Sequence, residues 1–103
     1  MVNKYIVYQD AVEDFNQIVQ YITYSLKNPE GAMKLIQLFE SKLHSIMSFP
    51  NSYPIIYNSK LELSDLRKCK MGNYLIIYIL NQELAQIEIV RIIYQREDYL
   101  IEF

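Results

Sequence analysis

Residues 66–80, LRKCKMGNYLIIYIL, constrain the fold more than any other stretch. Gly72-Asn73 sits between two runs of strand-forming residues, so the segment reads as a β-hairpin closed by a two-residue turn. Such a turn pairs Met71 with Tyr74, Lys70 with Leu75, Cys69 with Ile76 and Lys68 with Ile77. Alternation then puts Lys68 and Lys70 on one face and Arg67, Cys69 and Met71 on the other. The second arm, Tyr74 to Leu80, carries no charge and is apolar on both faces, which suits a central strand covered on each side.

The rest of the chain supplies the cover. KYIVY at residues 4–8 is β-branched and aromatic and reads as an opening strand. Asp10, with Glu13 three residues on, fits a helix N-cap with a capping-box partner. Val12, Phe15, Val19, Ile22 and Leu26 then line one face of a first helix. Asn28-Pro29-Glu30 ends it and opens a second, because proline suits the first helical position after an Asn cap and Glu30 complements the helix dipole. Ala32, Ile36, Phe39, Leu43 and Ile46 or Met47 continue the helical spacing to Phe49. FPNSYP at 49–54 is a loop. Residues 55–65 stay open between loop and one short strand. A turn at Asn81 to Glu83 leads to a last strand, Gln86 to Tyr94, and residues 95–103 carry no assignment. The fold class is α+β: an N-terminal strand and helical hairpin packed on one face of a largely antiparallel sheet.

With 103 residues, 51% of them hydrophobic, residues 1–103 form a single domain. The start, MVNKYIVYQDAVEDF, reads as mature protein rather than a signal peptide. Its longest uncharged apolar run falls far short of the ~20 residues that span a bilayer, so no membrane role is expected and the expected location is cytoplasmic. The lone cysteine makes no intrachain disulfide, and one Cys with one His cannot complete a structural zinc site. A net charge of −2 and a pI of 5.3 argue against a protein that coats nucleic acid, and sequence-specific DNA binding by the chain alone is not expected.

Lys68 and Lys70 admit two readings. About 7 Å apart, they repel by about 2 kcal/mol at an effective dielectric of 20, so they are solvated edge lysines or they form a site for an anion or acidic partner. Arg91 lies in an apolar strand, so it is either paired within the fold or turned to a functional surface. His44 reads as a surface helix position and Cys69 as a core residue. No clustered motif links Glu62, Asp65 and Glu88, so neither a metal nor another cofactor is expected.

The ordered set FNQIVQYITYSLKNPEGAMKLI, FPNSYP, LRKCKMGNYLIIYIL and VRIIYQREDY resembles the RelE/ParE superfamily of toxins from bacterial type II toxin–antitoxin systems. The closing pattern resembles the ParE branch, whose members tend to end in such a pattern, with Arg91, Tyr94, Arg96 and Asp98 on that ending and Tyr94 where His is common. The resemblance implies an α+β fold, a cognate antitoxin as partner, and growth arrest either by inhibition of DNA gyrase, ParE-like, or by ribosome-dependent mRNA cleavage, RelE-like. Under a nuclease reading, metal-independent, it implies catalytic roles for Lys68, Lys70, Arg96, Tyr94 and Tyr99. Under a gyrase reading it implies a target-binding surface of Arg67, Lys68, Lys70, Arg91, Tyr94 and Arg96. One departure bears on the choice: the arginine that follows the post-turn tyrosine in RelE corresponds here to Leu75, which removes a bidentate phosphate contact. A binding toxin acting on gyrase is therefore the expectation.

Overall fold

A sheet of five strands carries the molecule in a computed structural model that describes residues 2–57 and 66–95. The strands are β1 (Lys4–Val7), β2 (Ile55–Tyr57), β3 (Leu66–Met71), β4 (Tyr74–Asn81) and β5 (Gln86–Tyr94), in the order β1-β5-β4-β3-β2. β1 runs parallel to β5, and the other neighbours are antiparallel. Helices α1 (Gln9–Gln20) and α2 (Pro29–Ser48) pack on one face. The expected α+β class, hairpin register and central apolar strand all hold, with Met71 opposite Tyr74 and Lys68 opposite Ile77. Gly72 takes the positive φ, +61°, that the tight turn demands. Residues 58–65 of the ambiguous stretch lie outside the described residues, as do Glu62, Asp65, Arg96, Asp98 and Tyr99.

The core lies between helices and sheet. Ala11, Leu35, Leu43 and Ile46 meet Cys69, Met71, Ile76, Tyr78, Ile87, Ile89 and Ile92, with Phe15 and Phe39 in ring contact at 5.0 Å. α2 begins as read: Asn28 is the N-cap, its Oδ1 accepts from the Gly31 N–H at 2.9 Å, and Pro29 follows it.

α1 corrects two expectations. Its N-cap is Tyr8, with no side-chain capping bond, and Asp10 lies within the first turn. The strand leaves no room for a cap residue: the Tyr8 N–H donates to the Ile89 carbonyl of the sheet, while the Tyr8 carbonyl accepts from Val12 N–H. The buried face is also rotated. Ala11, Phe15, Ile18 and Ile22 meet the sheet, whereas Val12 is 36% and Leu26 54% exposed. Part of the cause is a π-helical turn at Tyr21–Ser25, where Leu26 N–H reaches back to the Tyr21 carbonyl. The Thr23 hydroxyl donates to the Val19 carbonyl at 2.7 Å within it, a side-chain bond that competes for the helix ladder. The wider turn shifts the phase by one residue and turns Leu26 off the core.

Candidate functional site

β3 carries its two lysines on the face away from the core, because Cys69 and Met71 occupy the buried face. Lys70 stands opposite Leu75 and Lys68 opposite Ile77, two apolar side chains that are buried yet outside the core cluster. β2 pairs with only the start of β3, through Ile55–Arg67 and Tyr57–Leu66. The later part of β3 therefore borders a cleft of 270 Å³, lined by Lys42, Tyr53, Pro54, Lys68, Lys70, Leu75 and Gln95. Lys42 comes from α2 and had no sequence signal: it flanks core Leu43, and only the FPNSYP loop folding back beside α2 places it next to β3.

Arg67 does not join that cleft. It points with Cys69 and Met71, and its guanidinium donates to the carbonyls of Tyr53 at 2.7 Å and Asn51 at 3.3 Å. The same loop is held by Lys68 N–H on the Pro54 carbonyl and by the buried Tyr78 hydroxyl, which donates to the Pro50 carbonyl at 2.7 Å. Tyr53 stacks edge-on against Tyr78 at 6.3 Å and shares a hydrogen bond with Ser45. Burial pushes the Tyr78 hydroxyl and the Cys69 thiol up, so both are neutral packing groups near pH 7.

Arg91 is re-aimed by a β-bulge. Ile77 pairs with Arg91 but Tyr78 pairs with Ile89, which leaves Val90 unopposed. Strict alternation from Ile87 and Ile89 would bury Arg91; the extra residue instead buries Ile92 and leaves Arg91 with a side chain 43% exposed. Its Nε and terminal nitrogen donate to Asp14 of α1 at 2.7 and 3.0 Å, a forked charge-assisted pair. Asp14 also accepts from Ile92 N–H at 3.0 Å, where β5 has run past the end of β1. Arg91 is thus paired within the fold and still part-exposed at the surface.

Beside this pair runs a groove of 640 Å³ whose walls include Asp14, Tyr21, Leu26, Tyr74, Arg91 and Tyr94. Tyr94 meets Tyr74 in a T-shaped contact at 5.6 Å. Burial, with help from Tyr94 and Tyr21, raises the Tyr74 pKa above the usual tyrosine value. Gln95 N–H donates to the Asn73 carbonyl; since Gln95 lines the lysine cleft and Asn73 the tyrosine groove, the two sites flank one hairpin end. The structure thus brings Lys68 and Lys70 together, sets Arg91 and Tyr94 in the groove, and commits Arg67 to the loop.

Sequence reasoning missed the surroundings of Glu88. It is buried on the sheet face away from the helices, 7% exposed, and accepts from Tyr8 hydroxyl at 2.7 Å, Gln86 at 2.9 Å and Asn81 at 3.0 Å. The Gln86 and Tyr8 bonds hold its carboxyl below the usual range, while the same contact and burial raise the Tyr8 pKa. The clue was the alternation of Gln86 and Glu88 with Ile87 and Ile89, which put both polar residues on one face. His44 is exposed. Among the described residues no three His, Cys, Asp or Glu side chains gather to hold a metal ion, and no helix is long and apolar enough to cross a membrane.

Comparison with known proteins follows this geometry. Solved structures share the fold, among them the following three. The chromosomal ParDE toxin–antitoxin system from P. aeruginosa matches with TM-score 0.70 and 16% identity over 90% of this chain and 96% of that chain. A metal-bound toxin from Helicobacter pylori matches at 0.61 and 17%, over 94% and 98%. The archaeal RelE-RelB complex from Pyrococcus horikoshii OT3 matches at 0.56 and 16%, over 92% and 97%. No curated protein sequence is significantly similar to the chain. The model of the ParE toxin of the type II toxin–antitoxin system parDE matches residues 5–99, nearly the whole sequence. The chain belongs to the ParE toxin family of type II toxin–antitoxin systems.

Proposed function

We propose that this toxin arrests bacterial growth in the cytoplasm by binding and inhibiting DNA gyrase, and that a cognate antitoxin holds it in check. The observation that carries binding over chemistry is Leu75, 3% exposed and opposite Lys70. RNA cleavage by 2′-hydroxyl attack needs a positioned base, an acid and cations around the phosphorane. Where a nuclease of the wider superfamily carries an arginine, this face carries a buried aliphatic side chain. Lys68, Lys70, Arg91, Tyr94 and Arg96 are the proposed gyrase contacts; Arg67 contributes by holding the 49–54 loop against β3. The antitoxin reading draws on the solved ParDE system and RelE-RelB complex, in each of which the matched chain shares this fold.

Inducible expression in bacteria, with plasmid supercoiling and mRNA integrity read separately, tests the proposal. Growth arrest with loss of supercoiling and intact mRNA is the expected result. Cuts in mRNA at codon positions would instead support a ribosome-dependent endonuclease, the reading favoured by the adjacent Lys68 and Lys70. No growth defect would make the chain a non-toxic interaction module that kept the fold.

A further inference from the structure

We propose that the outer edge of β1 joins the same edge of a second copy of this chain, in an antiparallel pair about a two-fold axis through Ile6. Among the described residues β1 ends the sheet and pairs with β5 alone. The Tyr8 N–H donates to the Ile89 carbonyl, so the alternate residues Ile6 and Lys4 also turn their backbone groups to β5. Those of Tyr5 and Val7 therefore point outward. The two edges of the sheet are protected unequally. β2 is a strand of 3 residues that follows Pro54 and breaks register between Ile55 and Tyr57, devices that discourage strand addition. β1 keeps an unbroken register, contains no proline and exposes Tyr5 and Ile6.

A second copy fits this edge better than an unrelated strand does, because the edge complements itself. With Ile6 facing Ile6 of the copy, Tyr5 of each chain stands opposite Val7 of the other, and their outward N–H and C=O groups pair in both directions. Tyr5 and Val7 lie on the helix face of the sheet, since their β5 partners Ile87 and Ile89 belong to the core. Val7 is also a wall of an apolar hollow of 160 Å³, lined further by Ala11, Val12, Phe15 and Phe39. The register thus brings an exposed tyrosine of each copy beside an apolar hollow of the other, the reciprocal fit of a two-fold interface. Charge agrees with it. Lys4 faces Tyr8 of the copy, just ahead of Asp10 in the first turn of α1, so opposite charges approach at both ends of the pair. A parallel pair would set Lys4 beside Lys4. β5 and β4 separate this edge from β3, so the dimer does not draw on Lys68 or Lys70 and stands apart from the gyrase reading.

Sedimentation velocity of the purified chain across a concentration series tests it, together with cysteine cross-linking. Strands of 4 residues make an interface at the low end of the scale, below about 1,200 Å², so the expected result is a reversible monomer–dimer equilibrium in the micromolar range. Ile6→Lys sets like charges across the axis, and Tyr5→Pro removes an outward N–H with a ring that an edge strand accommodates. Each should raise the dissociation constant at least about tenfold while the circular dichroism spectrum is unchanged. Tyr24→Lys, at an exposed tyrosine of the π-helical turn, is the control and should leave the constant within about twofold. Across the axis the two Ile6 Cα atoms stand about 4.5 Å apart, within disulfide reach, whereas the two Tyr5 Cα atoms stand beyond about 7 Å. Under mild oxidation Ile6→Cys should give a covalent dimer and Tyr5→Cys should not, the native Cys69 being buried. A chain that stays monomeric throughout the series overturns the proposal, the outcome for an edge that takes a strand of a different protein. Dimerisation unaltered by Ile6→Lys and Tyr5→Pro does the same, and so does cross-linking at Tyr5→Cys in place of Ile6→Cys.

Discussion

Asp14 in the first helix grips Arg91 in the last strand through two hydrogen bonds, at 2.7 and 3.0 Å, and with one of the same oxygens accepts from the Ile92 amide. One carboxylate thus ties α1 to β5 and satisfies a backbone donor left over where β1 ends. Asp14→Ala should cost about 1–3 kcal/mol, since it strips a partner from a part-buried charge and from a backbone amide. Asp14→Asn retains an acceptor and should cost roughly half as much. Urea unfolding of both variants checks this, and equal losses would show that the amide bond contributes nothing.

Glu88 predicts an acid-sensitive component of stability. Its three donors, led by Gln86 and Tyr8, depress its pKa in the folded chain, so as pH falls the unfolded chain takes up the proton first. The contribution is complete above the ordinary glutamate pKa of about 4.3 and is lost as pH falls through the lower folded value. The stability gap between wild type and Glu88→Gln should therefore narrow on going from about pH 7 to about pH 3. A gap that stays constant over that range would sink the assignment.

Tyr78 anchors the 49–54 loop through a buried bond to the Pro50 carbonyl. Tyr78→Phe keeps the ring and leaves that carbonyl unsatisfied, at a cost of about 1–3 kcal/mol. Tyr24→Phe, at a residue 75% exposed, should stay within about 0.5 kcal/mol. Thermal melts of the pair make the comparison, and similar losses would mean that the Pro50 bond holds nothing.

Lys27 follows the π-helical turn with φ of +50°, a left-handed conformation that glycine adopts without strain. Lys27→Gly should raise stability by about 0.5–1 kcal/mol, the relief of strain outweighing the entropy glycine adds to the unfolded chain. In a domain of this size that is a melting temperature higher by a few degrees; a lower one would refute the strain.

Charge reversal at Lys68 and Lys70 together should relieve growth arrest without unfolding the protein. Colony counts under induction, with urea unfolding of the purified variant, read both halves. Undiminished arrest would remove the two lysines from the target surface.

How much of this was legible follows from where each determinant lies. The register of β3 on β4 could be read because a two-residue turn leaves one pairing only, and the start of α2 because Asn28 and Pro29 act on their own backbone. The phase of α1 could not: it depends on Tyr8 serving sheet and helix at once and on a widened turn whose Thr23 bond gives no periodic signal. Arg91 turned on a single bulged residue, Val90, that looks like any other β-branched strand position. At the site, the two lysines were visible through alternation. Lys42, Asp14 and the donors around Glu88 come from distant parts of the chain, and only the packed fold shows them as neighbours.

Because β1 docks on β5, Lys4–Val7 wait for Gln86–Ile89 to be made before their backbone partners exist. The helices can form as they leave the ribosome, but non-local pairing of this kind comes late. A nascent chain that stops short of Gln86 leaves β1 without backbone partners and the apolar helix faces without Ile87, Ile89 and Ile92 to cover them. A chain interrupted before β5 therefore lacks the fold, and the sheet that carries Lys68 and Lys70 is completed only once Gln86–Tyr94 has been added.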